Sequence, residues 1–391
     1  MPERTIAWVI GGFEGYGVER MIRSLGSEIR SRGWRTDVIS ISPGRLVDRC
    51  ASDGFGVTDL GLPLSNALQG GLLKKAVQFA GMLQDQREIA KRLRATLRNR
   101  DVDVLHILRA TTLGAVGKTG NQLGIPVVWE LARQVSDRLP MGLNRRFFQH
   151  TCRKYNIVPI GISHYVAESL SGSDDFAEVI PLGADATLFD PEKVAPVSRE
   201  SLGIARDAVV LGTMARLVED KGHLHLVESI GALGESGADV HLLLVGGPMD
   251  SPFVEHLRDR VDRLGLSDRV TLAGATEEPE RYFGTMDVLV NFRISPEAFG
   301  LSVVEAMLMR KPVLVHALGG PAETVIDGQT GWHVQKPDVA SLTEGVRRLL
   351  ADRARLSSMG EAARERALAC YTLSRQGEEY ERLILRLTGS Q

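Results

Sequence analysis

Cysteine is scarce in this chain. Cys50, Cys152 and Cys370 are far apart and odd in number. They support neither a disulfide framework nor a paired-cysteine metal site, and they fit a reducing cytoplasm. Long apolar runs are also lacking. The stretch from Ile6 to Ile10 ends in a glycine turn and is too short for the core of a signal peptide. No later run approaches the roughly 18 apolar residues of a membrane span, so membrane contact is expected to be peripheral, at the inner face. Neither sign of charge dominates: the net charge is −2, which calls for no nucleic-acid partner. A phased GxGxxG and a GxxxxGK(S/T) are missing too, so neither a dinucleotide fingerprint nor a P-loop is indicated.

What is present is an alternation. At 391 residues the chain is long enough for two domains. Residues 5–10 form an apolar run closed by Gly11 and Gly12, and Val18, Met21, Ile22, Leu25 and Ile29 then recur at helical spacing. Strand-like runs follow at 37–42, 103–108, 126–131 and 156–163, with helical patterns between most of them. Residues 181–200 hold three prolines and no clear period, as a linker does. From 209 the alternation restarts. The expected class is α/β, with two Rossmann-like doubly wound domains facing an interdomain cleft, residues 1–185 and 200–373. A final helix within 374–391 is expected to return to the N-terminal domain.

Three segments have chemistry in them. In 295–307, Glu297 precedes a helix expected to start near Gly300, and Glu305 falls in its second turn. Amides near Phe299, Gly300 and Leu301 would suit an anionic or hydroxyl-rich ligand, and the two carboxylates would accept hydrogen bonds from sugar hydroxyls. Spacing alone serves surface acids at a helix start equally well. In 212–222, Arg216 and Lys221 leave a strand and enter a helix, where cations stabilise a departing diphosphate or simply face solvent. The third segment, 10–20, is a glycine-rich strand-to-helix turn that lets backbone approach a phosphate, or is a tight turn without a ligand.

Together these segments resemble the retaining GT-B glycosyltransferases of family 4. The likeness runs from GGFEGYGVERMIRSLGSEIRSRGW through VIPLGADATLFDP, GTMARLVEDKG and LLLVGGP to PEAFGLSVVEAMLMRKPVLVHALGGPAETVIDGQTGWHV. It implies that Glu297 contacts the donor sugar, with the Phe299, Gly300 and Leu301 amides beside it, and that Glu305 holds the ribose. Arg216 and Lys221 match the cation pair on the donor diphosphate, and Gly15 and Gly17 match the glycine loop facing those phosphates. Gly246 and Gly247 would admit the nucleoside. Many family members place a histidine after the strand written here PVVWELARQ; Glu130 and Arg133 are the polar residues at that point. His106 and His164 read as structural.

The expected activity is therefore metal-independent transfer of a hexose-type sugar from a nucleotide-diphosphate sugar, UDP before GDP, to a glycan, lipid-linked or small-molecule acceptor. No metal or cofactor is expected. The D-x-D pair Asp101 and Asp103 precedes a strand, at the wrong end of a sheet for ligand work. A sugar-nucleotide epimerase or a phosphorylase shares such a cleft, and a non-catalytic sugar-nucleotide or glycan-binding partner is a further reading. Residues 72–154 contain sixteen Lys and Arg against six Asp and Glu, with Phe147 and Phe148 among them. That combination suits an anionic membrane surface or a solvated helix face.

Overall fold

The computed structural model describes residues 4–12, 14–63, 72–135, 143–172, 176–234 and 239–389. It divides into two compact units, Met1–Pro181 with Gln376–Gln391, and Leu182–Arg375.

In the first unit the apolar runs become strands β1 (Thr5–Ile10), β2 (Arg35–Ser40), β3 (Gly56–Asp59), β4 (Val104–Ile107), β5 (Val127–Leu131), β6 (Ile157–Gly161) and β7 (Glu178–Val179). Between them lie α1 (Tyr16–Ser31), α2 (Arg45–Ser52), α3 (Leu72–Leu97), α4 (Leu113–Leu123), α5 (Leu143–Tyr155) and α6 (His164–Ser171). The strands form one parallel sheet in the order β3-β2-β1-β4-β5-β6-β7. Every residue of β1 is buried, as a strand covered on both faces requires. Ile22, Leu25 and Ile29 of α1 join Ile6, Trp8 and Ile10 in the core, so the helical spacing seen in the sequence faces the sheet.

The second unit repeats the plan with β8 (Val209–Met214), β9 (Val240–Val245), β10 (Val270–Gly274), β11 (Val288–Asn291), β12 (Val313–His316) and β13 (Gly331–Val334). Its helices are α7 (His223–Leu233), α8 (Pro252–Arg263), α9 (Pro279–Thr285), α10 (Leu301–Leu308), α11 (Gly320–Thr324), α12 (Val339–Ala351) and α13 (Leu356–Cys370). The parallel order is β10-β9-β8-β11-β12-β13. Each sheet reverses its winding once, at β1/β4 in the first unit and at β8/β11 in the second. Such switch points leave a crevice beyond the carboxyl ends of the strands, where open sheets take their ligands.

The linker region and the final helix are both packed parts of the fold. Residues 182–199 belong to the second unit: Phe189 is buried edge-on against Phe283 at 5.9 Å, and Asp190 accepts a hydrogen bond from Arg364 at 3.2 Å. The last helix, α14 (Leu373–Leu387), places its residues from Gln376 onward in the first unit. Tyr380 there is fully buried, and Glu381 accepts from the Trp34 indole at 2.9 Å and from Arg32 at 3.2 Å.

Candidate functional site

The second unit gathers charge at its switch point. β8 runs out into residues 215–222, and β11, its neighbour in the sheet, runs out into 292–297. The two exits are tied by backbone, Ile294 N–H donating to Asp220 O at 3.0 Å. Lys221 Nζ lies 2.5 Å from Glu297 Oε2, and Arg293 Nη1 lies 3.0 Å from Glu297 Oε1. Arg293 Nε also donates to Asp220 at 2.6 Å, and the Ser295 hydroxyl donates to the other oxygen of Asp220 at 2.6 Å. The Lys221, Arg293 and Glu297 side chains are half-buried, so their charges need one another.

Burial alone would lower the Arg293 guanidinium, but Glu297 and Asp220 outweigh it and hold the group above its ordinary value. Burial likewise opposes ionisation of Asp220, yet the Ser295 hydroxyl and Arg293 hold its carboxyl below the usual range. Arg216 is exposed one turn earlier on the same exit. Its carbonyl accepts a hydrogen bond from His223 Nε2 at 3.0 Å, and burial pushes that imidazole down to about 4. The ring is thus neutral at pH 7 and holds the Arg216 backbone as a donor.

Two close backbone approaches fix this geometry. Gly319 has φ +84°, and a Cβ there would lie 2.2 Å from Glu297 O; the neighbouring Gly320 N–H donates to that oxygen at 2.9 Å. Gly246 has φ +147°, and a Cβ there would lie 1.9 Å from Ala215 O. The side of Gly246 that a Cβ would occupy is therefore filled by the loop bearing Arg216, which is pinned again by Leu217 N–H donating to Gly247 O at 2.8 Å. At Gly247 a Cβ would meet only Ala275, at 3.6 Å.

The other expected residues lie as follows. Gly300, at φ +85°, is the N-cap of α10, so the amides of its first turn begin at Leu301. The Phe299 ring is buried and edge-on to Tyr371 at 6.0 Å, which leaves its backbone as the part able to meet a ligand. Glu305 is 1% exposed on the buried face of α10. In the first unit Gly15 and Gly17 stand at the open start of α1, where an added Cβ would meet nothing within 4 Å. The tight positions of that turn are Gly11 and Gly12, whose N–H groups donate to the Glu14 carboxylate at 2.5 and 3.1 Å.

Glu130 is engaged elsewhere. It is buried and accepts from His106 Nε2 at 3.0 Å, so that ring's Nδ1 is left to accept from the Tyr380 hydroxyl at 2.6 Å. His106, stacked on Trp8, is thus structural. Arg133 is exposed. Asp103 accepts from the Thr5 N–H at 2.7 Å, at the amino end of β1.

Arg293, Asp220 and Ser295 were not foreseen. Arg293 stands four residues before Glu297 and Asp220 stands next to Lys221, but only the adjacency of β8 and β11 makes them partners.

A family model described as glycosyl transferases group 1 matches residues 195–366, and one described as glycosyl transferase 4-like domain matches residues 16–157. Among curated relatives, a GDP-mannose-dependent alpha-(1-6)-phosphatidylinositol monomannoside mannosyltransferase of Mycolicibacterium smegmatis is 31% identical over 225 residues, 55% of this chain and 58% of that protein. A 2-deoxystreptamine glucosyltransferase of Streptomyces kanamyceticus is 30% identical over 207 residues, 51% of this chain and 52% of that protein. The chain spans about half the length of the curated relatives it matches. Among solved structures, a glycosyltransferase from Rickettsia africae superposes with a TM-score of 0.83 at 19% identity, covering 100% of both chains. Anabaena Alr3699/HepE in complex with UDP and glucose superposes at 0.76 and 19% identity, over 98% of this chain and 99% of that one. The two models between them span most of the sequence, the solved structures share the GT-B architecture, and the chain belongs to the group 1 glycosyltransferases.

Proposed function

We propose that this protein is a retaining glycosyltransferase that moves a hexose-type sugar from a UDP- or GDP-sugar to a hydroxyl of its acceptor. The observation that supports it best is the half-buried cluster of Lys221, Arg293, Glu297 and Asp220 at the switch point of the second sheet. In the reaction the bond between sugar and phosphate breaks, a bond from the acceptor oxygen forms, and the acceptor's proton leaves with the diphosphate. The charge growing on that diphosphate needs fixed positive groups. Arg216 and Lys221 supply them in this reading, and Glu297 accepts hydrogen bonds from the donor sugar's hydroxyls. Transfer without a divalent metal is part of the proposal. The mannosyltransferase relative is described as GDP-mannose-dependent, so guanosine donors belong in a screen beside uridine ones. A lipid-linked glycan at an anionic membrane surface is the acceptor class that the basic residues of 72–154 favour.

The test is steady-state transfer with a panel of nucleotide sugars, with and without saturating chelator, for the native protein and for Arg216→Ala, Lys221→Ala and the double variant. Each single change is expected to cost about 2–4 kcal/mol of transition-state stabilisation, and the double less than the sum, because both cations serve one leaving group. Activity abolished by chelator and restored by Mg²⁺ or Mn²⁺, with near-normal rates in the double variant, would overturn the reading. Conversion of the donor to another sugar nucleotide without acceptor would assign an epimerase instead.

A further inference from the structure

The first unit holds a cavity of about 600 Å³ far along the chain from the glycine turn, in the cleft between α3, α4 and α5. α4 is the middle helix and packs against both of the others. Toward the groove it presents Gly114, Lys118 and Gln122 at a spacing of four, with the buried Ala115 next to Gly114, so two small residues form a low floor between taller walls. A Cβ built on Gly114 meets only the Gln86 amide oxygen, at 3.6 Å. On the α5 side Phe148 rests on Trp129 with ring centroids 5.4 Å apart, while Phe147 beside it is 63% exposed at the cavity's edge. An apolar groove with an exposed phenylalanine at its mouth is a surface with an unmet partner.

The rim is charged with one sign. Arg87, Lys91, Arg94, Lys118 and Lys154 line the groove, and among the described residues no carboxylate does. Lys91 lies 3.9 Å from Glu88 and Arg94 donates to Gln122 at 2.9 Å. Arg87, Lys118 and Lys154 are exposed and have no carboxylate within ion-pair distance among the described residues. The volume falls in the roughly 300–1,000 Å³ range of small-molecule sites, and the groove is walled by three helices, unlike a shallow track for a peptide helix. We propose that this groove binds a single anionic phospholipid, its acyl chain lying over Gly114 and Ala115 and its headgroup phosphate on Lys118 and Lys154. The inference deepens the membrane part of the proposed function. It replaces diffuse attraction to a charged surface by a discrete lipid site.

The test uses the full chain and a phosphatidylglycerol with chains short enough to stay monomeric, titrated by calorimetry. The matching phosphatidylcholine, free glycerol phosphate and an acidic amphipathic peptide are run alongside. Vesicles of phosphatidylcholine with and without phosphatidylglycerol are sedimented with the same protein. Saturable one-to-one binding of monomeric phosphatidylglycerol is expected, at least about tenfold weaker for Lys118→Glu with Lys154→Glu and for Ala90→Trp, which fills the groove from its α3 wall. Lys118→Ala, a milder change, should weaken it about fivefold, and thermal melts identify any variant that has lost its fold. Binding of anionic vesicles without binding of the monomer would overturn the groove and leave the surface reading standing. Equal binding of phosphatidylcholine, or binding of the peptide alone, would overturn it too, the latter assigning the groove to a protein partner. Nucleotide-induced thermal shift in the same samples reports on the second unit, so a failed lipid test with an intact shift sinks this inference alone.

Discussion

Glu297 is held by two cations on different strand exits, Lys221 and Arg293, with Asp220 behind Arg293. In the proposed reaction an arrangement of this kind sets the carboxylate before the sugar arrives, which is where a preformed site gains its advantage. Glu297→Ala is expected to leave the fold intact and lower transfer by at least about 100-fold. Arg293→Lys is the sharper test, because one ammonium cannot reproduce the two separate nitrogens that reach Glu297 and Asp220. Turnover should fall by about tenfold or more with little change in the donor's Michaelis constant. Equal kinetics for Arg293→Lys and the native protein would remove Arg293 from the positioning of Glu297.

His223 makes a different, pH-dependent prediction. Burial depresses its imidazole from the ordinary 6.5 to about 4, so the unfolded chain binds the proton that the folded one refuses. The sign follows. Between about pH 6.5 and 4 stability falls as pH falls, by roughly 3 kcal/mol at most for a group this deeply buried. In the variant His223→Asn that part of the acid sensitivity should vanish. Melting temperatures of the two proteins from pH 7 to 4 give the comparison, and parallel curves would contradict it.

Strand exits and the glycines under them set where the cations stand. β8 and β9 pair from Val209 with Val240 to Met214 with Val245, and the loop leaving β8 then crosses directly over Gly246. Gly246→Ala would place a methyl into Ala215 O at a φ of +147°, so strain and overlap together should cost about 2–4 kcal/mol. Arg216 should shift with the loop, and transfer should fall along with the melting temperature. If Gly246 served only to admit the nucleoside, the melting temperature would be unchanged and only the donor's Michaelis constant would rise. The glycine was legible in the sequence; its neighbour was not. LLLVGGP announces a strand ending in a turn, but nothing local in it says that residue 215 lies on top.

On the scale of the whole molecule, the C-terminal helix completes the first unit. Leu383 and Ile384 join the core around Trp8, and the Tyr380 hydroxyl meets His106 inside it. Tyr380→Phe keeps the packing but strands the His106 nitrogen, a loss of about 1–3 kcal/mol to be read from denaturant unfolding. Removing residues 376–391 should instead uncover that apolar face and yield an aggregating protein. A soluble truncated chain with a native melting curve would contradict the assignment of α14 to the first unit.

The sequence by itself determined what depends on near neighbours: two runs of alternating strands and helices, the glycine-marked exits at 10–20, 212–222 and 295–307, and, among the described residues, the lack of any helix long and apolar enough to span a membrane. Periodicity and turn chemistry act within a few residues, so they survive in a bare string of letters. The tertiary structure alone decided that β8 lies beside β11, and with it the pairing of Lys221 with Glu297, 76 residues apart. It also placed 182–199 on the second unit, drew Glu130 into the core with His106, and set α4 low between α3 and α5. Each of these depends on which crossovers bury the most surface, and every strand order has the same local periodicity.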